Sequence, residues 1–487
     1  MSLASLIFLS VLFGTAVAPD AVIVLVALCL LAEVCVVAVQ ILARLVQRTS
    51  RNTSAPSSAV PYFSVHVACH NEPAGLVCDT IRALHAQDCP REQYEIIVMD
   101  NNTSDPAKWV PVRDYCASLP ANVRFLHCVD VKGAKAGALN IALAKSAAEA
   151  THIVTIDSDY VVSPGFLSCA ARVLEQVGSD FLQFPQAYRH VGRATHGISL
   201  ELEDYFSFHA RSANGTGLML PTGTLSVIDK KALESVGGWP TDGVTEDAHL
   251  GYILCAAGYQ GRFIDRAVGH GILPLALDDF EQQRFRWSNG NARVLRRAIL
   301  DRLQNTKARG RMRQTVVIAS QLTAWLSFLL IPVAALLGSL LFGSAQPLLI
   351  LASALCVTIG VGRSLLPLLI GKAHNDLRTL AGAIANRLAL LPAAARGTLE
   401  ATLTDRAQFI VTRKDGGPRG DRLLPRDHVA LLVLAALAIP AAMAAGSLAC
   451  FALLPLFALL PAARMTHAAL EAYRTSPQFL LEFAKNG

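Results

Sequence analysis

Charge is scarce in this chain. Only 16% of its 487 residues are Asp, Glu, Lys or Arg, against 53% hydrophobic, and the mean hydropathy is +0.40; that is too apolar for an ordinary soluble domain. The eleven cysteines include no C-x-x-C pair, so a zinc site or a disulfide framework is not expected and the thiols read as reduced and packed. No repeat of 20–50 residues and no long low-complexity tract occurs, which sets aside solenoids and propellers. Neither the phosphate loop G-x-x-x-x-G-K-[ST] nor the dinucleotide fingerprint G-x-G-x-x-G is present, so nucleotide binding by those two devices is excluded.

What is abundant is apolar sequence in runs. Residues 21–43, 315–343 and 347–371 are each long enough to cross a hydrocarbon core of about 30 Å, and 428–463 is long enough for a hairpin of two short spans. Residues 3–18 lack a basic leading segment and a small-residue cleavage pattern, so they read as a first short span and not as a signal peptide. Arg44, Arg48 and Arg51 follow the second span, Arg296 to Arg313 precede the third, and Lys372, Arg378 and Arg387 follow the fourth. The positive-inside rule puts these loops in the cytoplasm. About six spans then leave both termini and residues 48–313 on that side, in a plasma membrane that would be a bacterial inner membrane. The net charge of +6 follows from topology and anionic-lipid contact, not from nucleic acid.

The expected organisation is an N-terminal membrane hairpin (1–47), a linker (48–60), a cytoplasmic α/β domain (61–274), interfacial helices (275–313), a membrane pair (314–371), a cytoplasmic loop with an interfacial helix (372–427), a second membrane hairpin (428–463) and a tail (464–487). From Tyr62 short apolar runs alternate with helical patterns, as in a largely parallel sheet. The strand candidates are YFSVHVACH, YEIIVMD, VRFLHCV, HIVTIDSDY and DFLQFPQ, with helices near 74–87, 107–118, 135–149 and 164–177. Ligands of such sheets bind beyond the carboxyl ends of the strands, where His70, Asn71, Glu72, Asp100, Asn101, Asn102, Asp157 and Asp159 fall.

Four stretches carry chemistry. IDSDY places Asp157 and Asp159 two apart, a short tether of hard oxygens suited to Mg²⁺ or Mn²⁺ completed by a diphosphate, or a solvated turn. VKGAKAGALN sets Lys132 and Lys135 at a helix start that favours an anion, or leaves two solvated lysines. VTEDAHLGYIL puts Glu246 and Asp247 at another helix start, as basic carboxylates or as capping acids beside Thr245. In EQQRFRWSNGN, Gln283, Arg286 and Trp287 share one helix face at i, i+3 and i+4, offering a planar cation for phosphate and a flat plate for a sugar. His66 and His70 read as packed or hydrogen-bonded, Phe280 and Phe285 as core or membrane-surface anchors, and Arg293, Arg296 and Arg297 as an interfacial face toward lipid. Glu33 and Arg363 lie inside spans, where charge faces protein or water; they fit either a channel lining or a structural pair.

The order Asp after the second strand, basic helix start, D-x-D, T-E-D and Q-x-x-R-W, framed by membrane spans, resembles the processive, cellulose-synthase-like members of glycosyltransferase family 2. VACHNEP, FPQAY, GTLSVIDKKALESVGGWP and FIVTRKDG extend the likeness, the last matching an F-x-V-T-x-K gating loop at Phe409, Val411, Thr412 and Lys414. The resemblance implies a GT-A-type domain set in a multi-span helical membrane domain. It further implies that Glu72 and Asp100 contact uridine, that Lys135 lies by the diphosphate, and that Asp157 and Asp159 hold nucleotide and a Mg²⁺ or Mn²⁺ ion. Asp247 would be the base, Gln283 and Arg286 would face the donor, Trp287 and Glu246 the acceptor, and Phe409, Thr412 and Lys414 would close over the nucleotide.

The expected activity is inverting, processive transfer from UDP-glucose, or second from UDP-N-acetylglucosamine, onto a growing β-linked polysaccharide, probed against a lipid-acceptor transferase and a transporter or scaffold with a regulatory nucleotide domain. Translocation would bring the polymer to periplasmic export partners. The chain departs from bacterial cellulose synthases in its span number and in ending at residue 487, with no room for a cyclic-di-GMP-binding β-barrel.

Overall fold

The computed structural model describes residues 2–49, 60–304, 312–343, 346–370, 376–404 and 426–484. The F-x-V-T-x-K residues Phe409, Val411, Thr412 and Lys414, and most of the 48–60 linker, lie outside them.

Ten strands form in the α/β domain: β1 Phe63–Cys69, β2 Tyr94–Asn101, β3 Val123–Cys128, β4 His152–Asp157, β5 Val161–Val162, β6 Phe181–Gln183, β7 Ala187–Tyr188, β8 Ser226–Asp229, β9 Gly261–Phe263 and β10 Gly269–Gly271. Seven join in the order β3-β2-β1-β4-β8-β6-β9, and β5-β10-β7 make a small second sheet. β2 is buried along its whole length, which explains the continuous apolar run Ile96–Met99 in place of an alternation. The sheet is largely parallel, as expected, with one reversal that makes it mixed: β8 runs antiparallel to both β4 and β6. After β6 the chain passes back to the amino end, where Leu218 bridges Gly261, and residues 220–225 return it to the carboxyl edge beside Gln183, so β8 starts there and must run backwards.

Parallel register aligns Cys69 with Asp100 and Ala68 with Asp157. Asp100 and Asp157 therefore share one edge with β1 between them, about 10 Å apart by strand spacing. His66 is a packed residue: its Nε2 lies 2.9 Å from Ser146 Oγ, and burial pushes its pKa down to about 3.

Among the described residues, three helices are long and apolar enough to cross a membrane: Pro19–Gln47, Pro347–Ile370 and Leu448–Arg474. A fourth span arises if Arg426–Leu437 and Ile439–Ala445, bent by 53°, count as one. Of the about six spans expected, three to four are thus shown among the described residues. Leu3–Val17 and Leu330–Leu341 are apolar but have 15 and 12 residues, short of a hydrocarbon core at 1.5 Å per residue. They pack closely on one another, since a Cβ at Gly338 would meet Leu12 O at 2.3 Å.

The expected span 315–343 is broken. Its residues divide into Met312–Leu322 and Leu330–Leu341, and the backbone between them is served by side chains. Arg363 Nη2 donates to Leu326 O at 2.7 Å, Ser327 N–H to Thr398 Oγ1 at 3.1 Å and Phe328 N–H to Glu33 Oε1 at 3.2 Å. Arg363 Nε also donates to Glu33 Oε2 at 2.6 Å, and both residues are buried. Irregular backbone at membrane depth survives only when protein satisfies its polar groups, so Glu33 and Arg363 form a structural pair. The channel-lining alternative is not what their geometry provides.

Candidate active site

The carboxyl edge of the sheet, the helix Glu246–Ala257 and the long helix Leu277–Gln304 enclose a cavity of about 210 Å³. Lys135, Asp157, Asp159, Glu246, Asp247, Gln283, Arg286 and Trp287 all line it, with Tyr205 and Trp325. Lys135 enters because Gly133, at φ +83°, turns the chain sharply into helix Ala134–Ala144. Its Nζ pairs with Asp157, donates to Gly223 O at 2.9 Å and stands 3.9 Å from Glu246 Oε1. Lys132 stays exposed outside.

Thr245 does not cap its helix through its side chain. Instead it packs against Gly290, where a Cβ would meet its Oγ1 at 2.3 Å. This close approach brings the T-E-D turn against the helix that carries Gln283, Arg286 and Trp287. Asp247 rests on Gly223, whose positive φ and missing Cβ leave room for its carboxylate: an added Cβ would lie 2.9 Å from Oδ2.

Electrostatics separates these acids. Burial, then the neighbouring Glu246 carboxylate, pushes the Asp247 pKa up to about 7, against the opposing pull of the Ala248 N–H, Lys135 and Arg286. A carboxylate near neutrality is suited to accept a proton. Burial opposes the charge on Lys135, but Asp157 and Glu246 outweigh it and hold the ammonium well above its ordinary range. Lys135 is therefore a fixed cation. Asp157 and Asp159 supply hard oxygens, while no group of three His, Cys, Asp or Glu among the described residues could hold a metal alone. The donor set fits a Mg²⁺- or Mn²⁺-like ion that draws its remaining ligands from substrate and water.

Glu72 and Asp100 do not line this cavity. They sit farther along the same edge, where Asp100 accepts from Thr103 Oγ1 and from His127 Nδ1, each at 2.6 Å, and Glu72 accepts from the His70 N–H. His127 stacks on Trp109 at 4.2 Å. Sequence reading missed three contributors. Gly223 shapes the Asp247 seat, Tyr205 and Trp325 add aromatic walls, and only the G-T-L sequence at 223–225 hinted at the first.

Arg284, one residue from Gln283, turns away into a sealed network. It donates two hydrogen bonds to Glu201 Oε1 at 3.0 Å and one to Oε2 at 2.9 Å; Arg387 pairs with the same carboxylate and with Asp204 Oδ2 at 3.0 Å. Burial works against a charged Glu201, but Arg284 and Arg387 outweigh it and hold it below the usual carboxylate range. Arg297, expected on the interfacial face, donates to Asp242 Oδ2 at 3.1 Å and to His249 Nε2 at 3.0 Å, tying the loop before Glu246 to the long helix. Phe280 is fully buried core.

Two family models match the chain: "Glycosyl transferase family 2" over residues 64–237 and "Glycosyl transferase family group 2" over 152–365. Among curated proteins, the cellulose synthase catalytic subunit [UDP-forming] of Xanthomonas axonopodis pv. citri is 27% identical over 245 residues, covering 48% of this chain and 32% of the relative. A poly-β-1,6-N-acetyl-D-glucosamine synthase of Staphylococcus epidermidis is 25% identical over 245 residues, 48% of this chain and 56% of the relative. The matched region thus spans only about a third of the first and just over half of the second. Among solved structures, a mannosyltransferase from Pyrobaculum calidifontis in complex with GDP-Man and Mn²⁺ superposes with a TM-score of 0.49 at 17% identity, over 77% of this chain and 99% of that one.

Proposed function

We propose that this chain, which belongs to glycosyltransferase family 2 across residues 64–365, is an inverting, membrane-embedded transferase of GT-A type that extends a β-linked polysaccharide from a UDP-sugar. The observation that carries this reading is the convergence of Lys135, Asp157, Asp159, Asp247, Arg286 and Trp287 on one cavity. UDP-glucose is the first donor and UDP-N-acetylglucosamine the second.

In this reading Asp247 takes the proton from an acceptor hydroxyl while that oxygen bonds to the anomeric carbon. The bond from that carbon to the diphosphate breaks, the configuration inverts, and UDP leaves. Lys135 and Arg286 stabilise the charge that develops on the diphosphate, and Trp287 holds the acceptor ring. A Mg²⁺ or Mn²⁺ ion on Asp159 and Asp157 would supply further neutralisation of the leaving group. Glu72 and Asp100, farther along the edge, take the uridine. Phe409, Thr412 and Lys414 are assigned to donor closure on the sequence match alone. The catalytic domain faces the cytoplasm, and the spans pass the polymer outward toward periplasmic partners.

One observation favours a second reading, transfer to a lipid acceptor. A cavity of about 300 Å³ opens among the membrane-region helices, walled by Ala4, Phe8, Leu329, Val333, Leu456 and Leu459 with the ion pair Arg396–Asp427 at its margin. Such walls offer sugar hydroxyls few partners and suit an acyl or isoprenoid chain. The experiment that decides supplies labelled UDP-sugars one at a time to membranes containing the protein and digests the product with linkage-specific glycanases. Insoluble, glycanase-sensitive polymer is expected. Product that extracts into organic solvent would transfer the assignment to the lipid acceptor, and absence of metal-dependent UDP release would favour a transporter or scaffold.

A further inference from the structure

We infer that Trp325 is the positioning residue for the acceptor plate Trp287, and that the buried Glu33–Arg363 pair in the membrane domain sets Trp325 in place. The inference rests on the transferase reading of the cavity and deepens it.

The argument begins with the broken helix. Immediately after Trp325, three consecutive residues have lost their helical partners, and each finds a substitute on a different helix: Leu326 O on Arg363, Ser327 N–H on Thr398, Phe328 N–H on Glu33. These anchors fix the backbone that carries the tryptophan far more firmly than a loop of this length would be fixed alone. The break is thus specified by side chains remote from the cavity. An uninterrupted helix through 312–341 would leave Glu33 and Arg363 without these backbone partners.

The indole itself is gripped from the other side. Arg284 lies 4.0 Å from the centre of its ring, and Trp287, three residues farther along the same helix, lies 5.3 Å away at 35°. Arg284 lies 5.7 Å from the Trp287 ring as well, so the three side chains close a triangle, with Tyr205 stacked 6.0 Å from Trp325. It is only 9% exposed, so it has little surface to offer a ligand even though it borders the cavity. Its contribution is to the angle of Trp287. A flat ring binds a sugar only when its face is presented at the right angle, and a displacement there loosens the acceptor without touching Lys135 or Asp157.

The test uses the full chain in lipid nanodiscs, with UDP-glucose and a soluble β-1,4-linked gluco-oligosaccharide as probes. Trp325→Ala is expected to raise the KM for the oligosaccharide about tenfold while the KM for UDP-glucose moves less than about twofold. Trp325→Phe should recover most of that loss, a rescue that general destabilisation would not give. Arg363→Lys, which keeps the charge but loses the planar fork, should raise the oligosaccharide KM about threefold. Should that variant not fold, Thr398→Val removes a single anchor and carries the same expectation. Folded variants in which both KM values move together, or in which the oligosaccharide KM stays at wild type, would overturn the inference. Wild-type protein that turns over neither UDP-glucose nor UDP-N-acetylglucosamine overturns the transferase reading, and this inference with it.

Discussion

Two charged constellations lie on opposite faces of the helix Leu277–Gln304, and they differ in balance and in space. The cavity is lined by four carboxylates, from Asp157, Asp159, Glu246 and Asp247, against two cations, from Lys135 and Arg286. The network behind it sets Glu201 and Asp204 against Arg284 and Arg387, all buried, beside a void of only about 20 Å³. An acidic excess facing open space suits a cation-bearing donor and a proton acceptor. A charge-matched, buried set pairs within itself and serves the fold. The largest expected effect follows from the first constellation. Asp247→Asn should lower kcat by about 10³-fold or more while UDP-sugar binding, followed by calorimetry, persists; substantial residual turnover would remove Asp247 from the role of base.

Arg284 and Arg286 sharpen the contrast, since they are two residues apart with opposite surroundings. Arg284→Met leaves the buried Glu201 and Asp204 carboxylates with Arg387 as the network's remaining cation and should cost about 3–5 kcal/mol of stability, seen as a drop in Tm. Arg286→Met, at the cavity, should leave Tm nearly unchanged and raise the donor KM about tenfold or more. Equal Tm losses in the two variants would erase the distinction between the two faces.

The Asp247 carboxyl also makes the cavity sensitive to pH. Its pKa lies near 7 because burial and Glu246 disfavour the charge, and the base must be ionised, so kcat/KM should rise with pH through about 7 and then level. Stability moves the other way. The folded state holds this proton between the ordinary carboxylate range and about pH 7, whereas the unfolded chain has released it, so this group's contribution falls as pH rises through that window. Asp247→Asn should flatten that part of the Tm profile, a thermal-shift comparison that does not depend on turnover.

The sequence made the open constellation legible and hid the closed one. Asp157, Asp159, Glu246, Asp247, Arg286 and Trp287 stand in short local patterns, because strand ends and helix starts present neighbouring residues to a single space. Glu201 gave no such signal. Its partners Arg284 and Arg387 are 83 and 186 residues away, and a distant pair leaves no periodic trace in one chain. The same limit explains the broken helix. Residues 323–329 carry no charge, Gly or Pro to mark a break, and their irregular backbone is held by Glu33, Arg363 and Thr398 on other helices. The strands fared better: β1 to β4 follow the apolar runs closely, while the direction of β8 depends on where the chain re-enters, which no local pattern encodes.

Arg297 offers the smallest and most discriminating test of whether the long helix turns its basic residues to lipid or to the α/β domain. Its partner Asp242 is 62% exposed and its own side chain 52% exposed, so solvent screens the pair and Arg297→Ala should cost less than about 1 kcal/mol. That loss should shrink in an Asp242→Ala background, where only the His249 contact of Arg297 remains. Flotation with vesicles containing anionic lipid should be unaffected by Arg297→Ala. If flotation weakens while the double-mutant coupling is zero, the arginine serves the membrane surface after all, and the T-E-D turn is held to the helix by the Thr245–Gly290 contact alone.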